Sequence, residues 1–189
     1  MIRVQPSQQM RDLGVVQYGA EILDRPARRF DLPTERAEAE AAVDRLFASL
    51  DPIGQVHSFA KGMGIAAPQL GIDRAAAVVQ PAEPGTPAIA LLNPRIIDNS
   101  PDSDEQYEGC LSFFDVRGLV PRPLTITVET TTLDGDTVVT RYERSLARLI
   151  HHEIDHLDGL LYLARMRTGV QPLPVEEYRK VGRAWSYEV

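Results

Sequence analysis

The chain has 189 residues, 43% of them hydrophobic and 25% charged, the composition of one globular domain with some length left for arms or loops. Twenty basic against 27 acidic residues leave a formal charge of −7, so the surface as a whole is not built to grip phosphate backbones. A single cysteine, Cys110, excludes an internal disulfide and a multi-cysteine zinc ribbon. No apolar run approaches the ~18 residues of a membrane span, and MIRVQPSQQM does not read as a signal peptide, so the expectation is a cytoplasmic protein.

Residues 1–14 read as a polar, mobile N-terminal arm, with Met10 a candidate start, and residues 15–189 as one domain. Between Thr34 and Leu50 the apolar residues Val43, Leu46, Phe47 and Leu50 recur at helical spacing. Glu35, Glu38 and Glu40 favour the start of that helix, which is expected to pack on a sheet. Ala75 to Gln80 and Ala88 to Asn93 are apolar runs separated by PAEPGTP, a hairpin signal. LTITVETT from Leu124, the turn Asp134-Gly135 and the return TVVTRYE form a second hairpin. A further helix is expected from an N-cap at Ser145 to a C′ residue at Gly159. Its predicted buried stripe is Leu146, Leu149, Ile150 and Leu157. Hairpins outnumber crossover units, so the fold class is α+β: antiparallel hairpins and sheets packed around a central helix.

That helix reads SLARLIHHEIDHLDG. His152 and His156 are one turn apart and project from one side, as two ligands of one metal ion must, and Glu153 beside them can act as general base. His151 lies about 100° round the helix axis and is expected to face solvent or support the site. His57 is expected at the surface. A catalytic ion needs a third protein ligand, for which Cys110 is the one soft candidate; a lone cysteine also fits as a small buried residue. In KGMGIAAPQLG, Gly62, Gly64 and Ala67 nominally match a dinucleotide fingerprint, but Pro68 disfavours the helix that the fingerprint must open. The glycines there can let a substrate backbone come close, and Gln69 offers an amide donor.

Taken in order, GMGIAAPQ (Gly62–Gln69), EGCLS (Glu108–Ser112) and HEIDH (His152–His156) resemble the motifs of the peptide deformylases, and the likeness runs from about Val15 to about Leu163. The resemblance implies a metal-dependent hydrolase of protein biosynthesis. Such an enzyme removes the N-formyl group from the N-terminal methionine of new polypeptides and releases formate. It implies Cys110, His152 and His156 as metal ligands, with Fe(II) the usual ion and Zn, Ni or Co as replacements. By the same likeness Glu153 moves the proton, Gln69 and the backbone N–H of Leu111 hold the oxyanion, and Gly64 pairs with the substrate backbone. Arg117 would line the methionine pocket or buttress Glu108. The expected partners are an N-formylmethionyl peptide and, transiently, the ribosome, with no nucleic-acid or membrane recognition. From Arg165 onward there are five basic and three acidic residues, a slight excess that suits such docking. Arginine supplies 18 of the 20 basic residues, which fits a GC-rich bacterial source.

His151 stands where the family usually has Gln, Phe114 where it usually has Pro, and the chain ahead of GMGIAAPQ is long. These departures border the groove and motivate an alternative, a paralogue acting on a small formamide or conferring inhibitor resistance. A non-catalytic formyl-peptide-binding module is a further alternative.

Overall fold

The computed structural model describes residues 5–181. The N-terminal arm is not loose over this span. Helix α1 (Pro6–Asp12) begins on a proline whose fixed φ suits the first helical position, and it is pinned by Met10, which is fully buried. The Ser7 backbone N–H donates to Asp115 Oδ1 at 2.9 Å, and the Ser7 hydroxyl donates to the same carboxylate. Residues 1–4 and 182–189, parts of the expected arm and tail, lie outside the described residues.

Helix α2 (Arg36–Val56) runs six residues past the predicted end at Leu50 and takes Pro52 into its last turns. Its buried stripe is Ala39, Ala42, Leu46 and Ile53, at spacings of three, four and seven. Phe47 stays exposed. Ile53 is the reason for the extension, because burying it repays the one helical hydrogen bond that Pro52 cannot donate. As expected, α2 packs on a sheet, against strand β2 (Ala76–Gln80).

Strand β2 lies between β1 (Met63–Ala66) and β3 (Ile89–Leu92) in an antiparallel sheet of order β1-β2-β3, so the predicted hairpin forms and β1 is an edge strand. A short 3-10 turn, Ala67–Leu70, follows β1 and ends at Gly71 with φ +73°; no dinucleotide-type helix opens there. A second antiparallel sheet has the order β4-β7-β8, with β4 (Arg95–Asn99), β7 (Thr125–Thr131) and β8 (Thr137–Glu143). The β7–β8 register, Thr131 opposite Thr137 and Thr125 opposite Glu143, is the second predicted hairpin. The third sheet was not anticipated. It joins β5 (Ser103–Cys110), β6 (Phe113–Pro123) and the two-residue β9 (Leu173–Pro174). In β5 the register slips between Glu108 and Cys110, which are both buried.

Helix α3 (Arg144–Leu157) is the central element and touches β1, β2, β7 and β8. Its cap position is Glu143, in extended conformation, so Ser145 lies inside the first turn and is not the N-cap. The C-terminus ends as expected at Gly159, with φ +74°. There the N–H of Leu160 bonds the Asp155 carbonyl (2.8 Å) and that of Gly159 the His156 carbonyl (3.2 Å), the two bonds of a Schellman motif. The predicted stripe needs correction. Leu146 and Leu149 are only partly covered, and from Ala147 to Leu157 the helix is buried on nearly every side, including Arg148, Glu153 and Asp155. A 3-10 turn (Tyr162–Arg165) and the short helix α4 (Val175–Val181), which packs on β6, complete the described chain.

Candidate active site

Two elements supply the three candidate ligands. Helical spacing stacks His152 and His156 on one side of α3, with ring centroids 5.1 Å apart, and the end of β5 carries Cys110 to them. Cys110 Sγ lies 3.1 Å from His156 Nε2, and the candidate ligand atoms of all three residues lie within 4.8 Å of one another. Burial alone would push the Cys110 thiol up, but His156 and His152 outweigh it and hold the group at about 5. A ready thiolate and two imidazoles form a donor set that suits a divalent transition metal, and with three protein ligands one position remains for a reactant. His152 Nδ1 is 3.0 Å from Glu108 Oε2, which fixes the ring and leaves its other nitrogen for an ion. On donor chemistry and on this supporting contact, the residues fit a catalytic cation.

Behind the ligands lies a charge network that sequence reasoning missed. Arg122 grips Glu108 with two parallel bonds of 2.9 Å and reaches Asp155 Oδ2 at 2.6 Å. Arg148 adds a 2.7 Å bond to Glu108, and Arg165 one of 2.7 Å to Asp155. Burial disfavours both carboxylate charges, but Arg122 dominates and holds Glu108 well below, and Asp155 below, the ordinary carboxylate value. Glu108 and Asp155 stand inside motifs singled out from the sequence. The signal that could have found Arg122 is that two buried acids demand a buried cation.

Glu153 points the other way. It is buried, its Oε2 has no hydrogen-bond partner among the described residues, and burial, opposed by His152 and His156, lifts it to about 7. Its carboxylate lies directly against Gly64, where any Cβ would collide with it. Gln69, also buried, accepts the Ala66 N–H at Oε1 (2.9 Å). Its Nε2 lies 3.1 Å from Ser112 Oγ and 3.7 Å from Cys110 Sγ. Leu111 sits in the turn between β5 and β6, and its carbonyl accepts from Gln17 Nε2 at 3.2 Å.

A cavity of about 620 Å³ opens over these groups, with Gly64, Gln69, Cys110, Leu111, His152 and Glu153 all in its wall. Arg117 also lines it, stacked with its guanidinium 4.6 Å from the Phe114 ring centroid. It does not buttress Glu108, because its Nη1 donates to the carbonyls of Phe114 (2.7 Å) and Val116 (2.8 Å). His57 is no bare surface residue: half buried, it meets Phe59 and Phe114 edge-on at 4.7 and 4.8 Å and faces the same cavity. His151 lies off the cavity, 3.8 Å from Asp155, and burial with the nearby Arg122 pulls it down to about 4.

The family model for polypeptide deformylase matches residues 13–171. The chain belongs to the peptide deformylase family. It is 37% identical over 172 residues to the peptide deformylase of Acidobacterium capsulatum, covering 90% of this chain and 95% of that protein. It is 36% identical over 156 residues to that of Desulforudis audaxviator, covering 82% and 93%. Among solved structures, peptide deformylase 1B of Arabidopsis thaliana superposes with a TM-score of 0.70 at 31% identity over 88% of this chain and 86% of that one. A class I type b peptide deformylase from Acinetobacter baumannii, bound to Met-Ala-Ser, gives 0.67 at 30% identity, over 88% and 100%. This deformylase-family chain is therefore an enzyme, a hydrolase, of α+β fold around a helix that carries HEIDH. No helix among its described residues is long and apolar enough to cross a membrane.

Proposed function

We propose that the protein hydrolyses the N-formyl group of N-formylmethionyl polypeptides, releasing formate and a free amino terminus, in the cytoplasm and in transient contact with the ribosome. Cys110, His152 and His156 would hold one divalent cation. Fe(II) is our assignment on the family resemblance, while the donor set also accepts Zn, Ni or Co. When bound, the cation supplies Lewis-acid activation of a water molecule and of the formyl oxygen.

The remaining work falls to the chain. The observation that carries the reading is Glu153: buried, lifted to about 7, and pressed against Gly64 on the open edge of β1 beside the ligand triad. A carboxyl group poised near neutrality can take a proton from the attacking water and return it to the departing amine nitrogen. The open edge of β1 offers backbone groups to an extended peptide, and Gly64 leaves room for that peptide to reach the Glu153 carboxylate. The Gln69 amide and the Leu111 N–H donate to the oxygen on which negative charge develops. Arg117 and Phe114 wall the space for the methionine side chain. A binding module would have no use for a proton carrier at this point, which favours hydrolysis.

The test is formate release from a formyl-Met-Ala-Ser peptide by anaerobically purified protein, with metal content measured on the same sample. Formate release that scales with bound metal and stops on chelation supports the reading. Cleavage of small formamides alone would move the substrate assignment away from peptides.

A further inference from the structure

One wall of the cavity lies beyond the residues that the family model matches. Helix α4 brings Val175, Tyr178 and Arg179 to it. Tyr178 is tied to the strand side, because Lys61 Nζ donates to its hydroxyl at 2.8 Å and Tyr107 of β5 lies 5.4 Å from its ring. Lys61, Arg117 and Arg179 thus face one space, with the Arg179 charge paired to Glu176 at 3.2 Å.

Among the described residues, the carboxylates in that wall are Glu108 and Glu153. Arg122 and Arg148 neutralise Glu108 from behind, and Glu153 lies against Gly64, three residues along the chain from Lys61. The Arg117 hydrogen bonds go to carbonyls, which hold the guanidinium without cancelling its charge. Although the chain carries a net charge of −7, Lys61 and Arg117 bring two cationic groups to one side of this cavity.

Where a peptide would meet Lys61 follows from the strand. Its reacting end must lie at Glu153, hence beside Gly64. From there β1 runs back only to its first residue, Met63; Gly62, with φ +84°, and Lys61 form the turn just before it, on the wall of the same cavity. A peptide paired antiparallel to β1 leaves the strand at Met63, so its second or third residue, counting the formylmethionine as first, passes the turn that carries Lys61.

We propose that Lys61, seated on Tyr178 of α4 and reinforced by Arg117, forms a subsite that favours substrates with an acidic side chain at the second or third residue. The assignment rests on the deformylase reading above and adds a substrate preference to it. The state of Lys61 agrees: burial, with Arg117 and Arg148 nearby, pulls its ammonium down to about 8. An arriving carboxylate relieves that strain of like charges.

The experiment measures kcat/KM for C-terminally amidated formyl-Met tripeptides with Glu, Gln or Lys at the second or third residue, using the metal-loaded full chain. Amidation leaves the varied side chain as the only source of a carboxylate. The expected order is Glu, Gln, Lys, with about a tenfold span that shrinks in about 0.5 M salt. Lys61→Glu inverts the Glu-to-Lys ratio and Lys61→Gln flattens it. The ratio is internal to each variant, so a general loss of activity does not mimic the result. A flat profile in the native protein, or a preference unchanged in both variants, overturns the subsite while leaving the deformylase reading intact. Failure to hydrolyse any formyl peptide overturns both.

Discussion

The two sides of helix α3 are buried alike and behave oppositely. On the back, Glu108 and Asp155 lie within bonding distance of Arg122, and both carboxyls are held below their ordinary values. On the front, Glu153 is just as buried, one of its oxygens has no partner among the described residues, and it is lifted to about 7. Burial is common to all three, so the presence or absence of a guanidinium decides which acid is held as a fixed charge and which is lifted toward neutrality. The back is scaffold for His152 through its contact with Glu108. The front is where we place the chemistry.

The largest effect that breaks this contrast comes from the back. Arg122→Leu leaves Glu108 to Arg148 and Asp155 to Arg165 and removes the one guanidinium that joins them, a defect worth about 3–5 kcal/mol. It should lower Tm by roughly 10 °C in calorimetry of the metal-loaded protein. A Tm within about 2 °C of the native value would show that the network bears no weight.

From the front, Gly64→Ala puts a methyl group where the Glu153 carboxylate lies. The acid must swing away, and a displacement of that kind costs about 10²-fold in kcat. Thermal stability should change far less than in Arg122→Leu, and thermal melts beside steady-state rates check the split.

The smallest effect sharpens the contrast through pH. Glu108 and Asp155 are depressed in the folded chain, so the unfolded chain binds more protons in acid. Their contribution is full above the unfolded carboxylate values and is lost as pH falls through the folded ones. Tm should therefore decline between about pH 5 and pH 3. The decline should be shallower in Arg122→Leu, because with only Arg148 and Arg165 left beside them the two carboxyls are held less far below their ordinary values.

How much of this was legible in the sequence follows from where each signal resides. The closeness of His152, His156 and Glu153 was readable because one helical turn is a short, rigid ruler, and the two hairpins because β-branched alternation ends at Pro- or Gly-rich turns. The β5–β6 hairpin was not. SDEQYEGC carries no apolar alternation, since what it buries is the carboxylate of Glu108 and the thiol of Cys110. Arg122 and Arg148 were invisible for a related reason: an arginine reads as surface until its buried partners are known. The end of α2 was missed because the apolar spacing was followed only to Leu50, and the core position of Ile53 shows that the helix continues through Pro52. α4, which closes the cavity, offers seven residues with no motif at all.

The central claim is that the front of α3 does chemistry while its back holds the fold. The most direct test is Glu153→Gln, which keeps size and shape but removes the proton carrier. The account predicts unchanged bound metal, Tm close to native, and a fall in formate release of about 10²- to 10⁴-fold from formyl-Met-Ala-Ser. Formate release at the native rate from Glu153→Gln with its metal bound would contradict it.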